Sequence, residues 1–153
     1  MKSILIIILS GILGTSGMSF VMWLITRSGL ANADMIRAIG SIYTRSYSNA
    51  LLPGFIMHFT AGIIFAFLYV IFLSLFSLGS VGAYIGMGAM AGVFHGLVVS
   101  FLLVVSVAEH HPLEQFQKVG SEVAVAHLVG HIIYGLIVGA VIGIAGIRLL
   151  LLQ

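Results

Sequence analysis

Four stretches of this chain, residues 3–25, 50–76, 81–108 and 123–151, are each long and apolar enough to cross a lipid bilayer. The hydrocarbon core asks for ~20 apolar residues per helix, and within it every backbone amide must find its partner inside the protein. Those two demands leave one fold class: an all-α membrane protein with four transmembrane helices in a bundle. Composition excludes the soluble alternative. Of 153 residues, 61% are hydrophobic and 7% are charged. A soluble domain carries roughly 25% charged residues, so this chain cannot build a water-compatible surface. Its length suits a single integral membrane domain over residues 1–153. The formal charge of +2 is too small and scattered for a nucleic-acid partner, and with no cysteine there are no disulfides, thiolate ligands or cysteine nucleophiles.

Lys2, the apolar run from Ile4 and the triplet Ala31-Asn32-Ala33 imitate a secretory signal with its cleavage site. The run is longer than the ~7–15 residues of a signal core, and Arg27 interrupts the approach to the triplet, so it reads as an uncleaved first span. Between the first two spans, Met35, Ile39, Ile42 and Tyr43 repeat at helical spacing and predict a short amphipathic helix in the interface. Pro53 opens the second span at a tolerated first-turn position. The third span returns through Ser77-Leu78-Gly79-Ser80. The last loop, from Glu109-His110-His111-Pro112 to Glu122, is the most polar part of the chain and reads as a solvated helix end and turn. Four spans put both termini on one side, with Lys2 and Arg148. Arg27, Arg37, Arg45 and Lys118 lie on the other, which the positive-inside rule places in the cytoplasm, leaving both termini outside.

The sequence contains a repeat. The segment His58-Phe-Thr-Ala-Gly-Ile-Ile-Phe-Ala resembles His127-Leu-Val-Gly-His-Ile-Ile-Tyr-Gly. Gly11 and Gly17 echo Gly86 and Gly92, an alignment that sets Phe20 opposite His95. The expected architecture is therefore two helical hairpins in parallel duplication. Gly11-Ile-Leu-Gly-Thr-x2-Met, Met57-His58-Phe59 with Gly62 and Phe65-Ala66, and His127-x6-Tyr134-Gly135 also resemble a family of small, uncharacterised bacterial four-helix membrane proteins. The resemblance covers most of the chain and implies the bundle and a bacterial inner membrane, but no activity. His131 and Glu109-His110-His111 stand outside the family's pattern.

Four histidines, His58, His95, His127 and His131, fall inside the spans. An ionisable group in hydrocarbon is costly, faces the bundle interior and marks a functional site by default. At 1.5 Å rise per residue His58 and His131 should reach a similar depth, roughly 12 Å from the loop face. They share faces with small residues: His58 with Gly54, Gly62 and Ala66; His127 and His131 with Gly135, Gly139 and Gly143; His95 lies beside Gly88, Gly92 and Gly96. Such small-residue rows mark where membrane helices approach one another.

Three readings follow. In the first, His58 and His131, with His95, bind a cofactor: haem b, held from both sides in the room beside the glycines. Alternatively His127, His131, His95 and His58 supply nitrogen to zinc, copper or iron, His127 and His131 forming an i, i+4 pair. Haem is placed first, because the glycine-lined gaps otherwise lack an explanation and the core offers almost no carboxylate. Electron transfer, or an accessory role in a redox complex, is the corresponding function. In the second reading the histidines only pack helices by hydrogen bonds worth about 0.6–2 kcal/mol each. In the third they relay protons from Glu109, His110 and His111. Met18, Met22, Met57, Met87 and Met90 read as packing, and Trp23 and Tyr43 as interfacial anchors. No phosphate loop, carboxylate pair or serine triad is visible, so an enzyme acting on a soluble substrate is not expected. The partners expected are lipid, further copies of the chain or other membrane subunits.

Overall fold

The computed structural model describes residues 2–117 and 120–146, and of residues 102–107 the backbone alone. Lys118, Arg148 and the end of the fourth span at residues 147–151 lie outside the described residues. The chain is all-helical: α1 (Lys2–Arg27), α2 (Met35–Thr44), α3 (Leu51–Ser74), α4 (Val81–His110) and α5 (Ser121–Ala145), with a 3-10 turn at Glu114–Phe116. α1, α3, α4 and α5 are long and apolar enough to cross a membrane, as in an integral membrane protein, and they pack as a bundle.

Local chemistry sets the boundaries. The Asp34 carboxylate accepts the Arg37 N–H at 3.2 Å and starts α2, and Ser80 does the same for α4 through the Ala83 N–H at 3.2 Å. α2 stops at Arg45 and α5 at Gly146, both left-handed (φ 49° and 63°). α2 is more than a float on the interface: Gly40 lies directly on the backbone of Ala50 and Gly54, fastening it across α3. Its expected apolar stripe divides, Met35 and Ile39 turning partly inward while Ile42 and Tyr43 stay exposed.

The small-residue rows of spans two, three and four predict that these three share the contacts and that span one closes the gap. The observed order of helices differs. Here α1 sits between α3 and α5, α4 packs most closely on α5, and α3 meets α4 and α5 only thinly. The reason lies in a duplicated design. A methyl on Gly11 would lie 2.7 Å from the Cα of Ile63 in α3, and a methyl on Gly92 would lie 2.9 Å from the Cα of Ile132 in α5. The hairpins α1–α3 and α4–α5 thus repeat one contact. The same two offsets relate Gly14, which faces Tyr134 and Val138, to His95, which faces Phe65 and Tyr69. Gly11 is therefore the counterpart of Gly92, not of Gly86, which has open space around it, and the counterpart of His95 is Gly14, not the exposed Phe20. Where one half carries hydrogen, α1 and α5 close up. Where the other half carries an imidazole, α3 and α4 are held apart.

Candidate intramembrane imidazole site

The α3–α4 seam is filled with rings. His95 stacks on Phe65 with centroids 4.0 Å apart and meets His131 of α5 edge-on at 4.5 Å. Its Nδ1 lies 3.4 Å from the Tyr69 hydroxyl, and its Nε2 is buried without a hydrogen-bond partner. The Tyr134 O–H donates to the Gly62 carbonyl at 2.6 Å and packs edge-on against Tyr69, tying α5 to α3 below the imidazoles. Tyr69 was not singled out from sequence, and Phe65 only as part of a family motif. The available signal was a hydroxylated ring in an aliphatic span, which needs a partner when buried.

On α5 the backbone fixes the tautomers. His127 donates Nδ1–H to the Val123 carbonyl at 2.7 Å, and His131 donates Nδ1–H to the His127 carbonyl at 2.7 Å. A carbonyl can only accept, so the single N–H of each neutral ring sits on Nδ1 and Nε2 is a bare lone pair. This is the arrangement of a histidine that ligates through Nε2 while its other nitrogen is held by a carbonyl. The Nε2 of His127 faces the Met35 sulfur at 3.3 Å. His58, buried on α3, lines a cavity of about 260 Å³ together with Ser19, Met22, Trp23 and Met35.

Of the four imidazoles, His95 and His131 meet in the seam, His127 faces Met35 of α2, and His58 lines the cavity beside α2. Among the described residues, no three His, Cys, Asp or Glu side chains are placed together to hold a metal ion. Nor do the small-residue rows leave gaps for a macrocycle: Gly62 is filled by Thr15, and Gly88 with Gly135 and Gly139 with Tyr84 press backbone against backbone.

The polar loop is built differently from its sequence reading. Glu109 and His110 are exposed, but His111 is 2% exposed. His111 donates Nε2–H to the Ala38 carbonyl of α2 at 3.0 Å and accepts the Leu113 N–H on Nδ1 at 3.1 Å. It is a latch between α2 and the last loop, with Phe116 edge-on against it. Nearby, Tyr47 donates to Asp34 at 3.0 Å under the Arg37 guanidinium. Burial and that bond raise the phenol above its ordinary pKa, so it remains the donor. His111→Ala should cost about 1–3 kcal/mol, the range for leaving a buried partner unmade. Denaturation in detergent measures the loss, and faster tryptic cleavage at Arg45 would report a loosened α2.

Comparison with protein-family models, with curated proteins and with solved structures finds no match for this chain.

Proposed function

We propose that this protein is a cofactor-holding subunit of the bacterial inner membrane, with its first and third loops in the cytoplasm and both termini outside. It would serve in electron transfer or as an accessory to a redox complex. The cofactor is a transition-metal ion bound through imidazole nitrogen, with His131 and His95 central and His58 and His127 beside them. One observation carries this reading. The bare Nε2 lone pair of His131 belongs to a ring that touches His95, whose own Nε2 is buried and unpaired. An unpaired buried nitrogen is costly, and a metal ion is a partner that suits both rings. Nitrogen donors without thiolate fit copper, zinc or iron. Haem b, expected first from sequence, moves behind the bare ion, because its argument rested on glycine gaps that neighbouring helices fill.

A second reading has its own support. His95 stands where its counterpart is Gly14, so it acts as a spacer in the seam whether or not it binds anything. Metal analysis and an absorption spectrum of the detergent-purified protein separate the readings. Stoichiometric metal that falls in His131→Ala supports the ion, and sharp low-spin bands in the reduced protein would restore haem. A stable, colourless protein free of metal after supplementation leaves the spacer.

A further inference from the structure

We propose that His127, Met35 and Met22, with His58 across the cavity, form a copper(I) site at the loop-side end of the bundle. The inference deepens the metal reading above and rests on it. It starts from a contact that a hydrogen bond does not explain. With its N–H committed to Val123, His127 turns a bare Nε2 lone pair toward the Met35 sulfur, which also carries only lone pairs, at 3.3 Å. The other tautomer is worse, since it would face two acceptors at 2.7 Å. Two lone pairs in that position are reconciled by an electrophile between them. An ion with bonds of about 2.0 Å to nitrogen and 2.3 Å to sulfur holds such donors about 3.5 Å apart at a tetrahedral angle.

A second sulfur is at hand. Met22 places its Sδ 3.2 Å from where a methyl on Gly130 would stand, and Gly130 lies one turn beyond His127 on the same helix. Met22 and Met35 line the same cavity as His58, which reaches the rim at Asp34 and Arg37 and so gives the ion an entry from the loop side. Asp34 is already occupied by Tyr47 and Arg37. Besides the Ser19 hydroxyl, which is buried without a partner, the donors that remain are thioether and imidazole. Thioether selects monovalent copper, while hard ions look for the carboxylates this cavity does not offer. Met22, which reads as packing from sequence alone, and Met35, which reads as part of an amphipathic stripe, both acquire a ligand's position.

The test uses the full-length protein in detergent, offered copper(I) as its bicinchoninate complex under anaerobic ascorbate. The protein should withdraw stoichiometric copper and discharge the coloured chelate. Met35→Leu and Met22→Leu, volume-conserving changes that cores tolerate, should each weaken copper(I) binding at least about tenfold, the least that loss of an outer-shell partner costs. Met90→Leu, at an exposed position on α4 away from the cavity, should bind as the parent does. X-ray absorption at the copper edge should find sulfur as well as nitrogen neighbours. Unchanged affinity in Met35→Leu, or a nitrogen-only shell, overturns the proposal. If copper then depends on His95 and His131, the metal reading survives without it. If neither copper nor any other metal binds, both fall together.

Discussion

Gly92→Leu should leave the bundle unable to form its tightest helix pair, with little folded protein recovered from the membrane. Even one methyl at Gly92 would lie 2.9 Å from the Ile132 Cα and press on the His131 carbonyl. Both neighbours are backbone, so neither can rotate away. Gly92→Ala should therefore destabilise by about 1–3 kcal/mol, the usual range for overpacking, and leucine should exceed it. Gly86→Ala supplies the contrast. It lies on the same helix with nothing within 4 Å, so alanine there should be neutral or stabilise by up to about 1 kcal/mol through helix propensity. Unfolding in mixed detergent measures all three. Equal losses at Gly86 and Gly92 would show that the α4–α5 contact is not what glycine serves.

His95→Ala should destabilise the fold, and His95→Phe should be close to harmless to it. Alanine empties the space between Phe65, Tyr69 and His131. Truncating a fully buried large ring costs about 3–5 kcal/mol when the site cannot collapse. His95 is half-buried, so its loss should fall at or below the lower end of that range, although the Tyr134–Gly62 bond below resists collapse. Phenylalanine keeps the stack on Phe65 while removing both nitrogens. A stable His95→Phe protein that has lost its metal would assign His95 as a ligand as well as a spacer. Retained metal in that protein would move the ion away from the seam.

The sequence announces the spans because hydropathy reports a thermodynamic demand, and the inward histidines follow because their faces are shared with glycine. It does not announce which helix neighbours which. Spans apolar on every side carry no stripe that singles out a partner, so the insertion of α1 between α3 and α5 was hidden. The repeat was visible in α3 and α5 through His58 and His127, but glycine recurs often enough in α1 and α4 to allow several registers. Only the backbone contacts of Gly11 and Gly92 choose between them. His111 was missed for a different reason. Adjacent to Glu109, His110 and Pro112, it reads as solvated, and its acceptor, the Ala38 carbonyl, is 73 residues distant in sequence.

The substitution of an imidazole for a hydrogen atom at paired positions has a consequence for anyone altering this protein. A twofold bundle ordinarily punishes change equally on both sides, because each seam is a copy of the other. Here the seam built around Gly14 admits no passenger, while the one built around His95 is already furnished with replaceable rings. Sequence libraries that keep a ring at Phe65, Tyr69 and His95 can therefore vary the interior chemistry of the bundle, with the opposite seam left untouched as the fastener that holds those variants in the same frame.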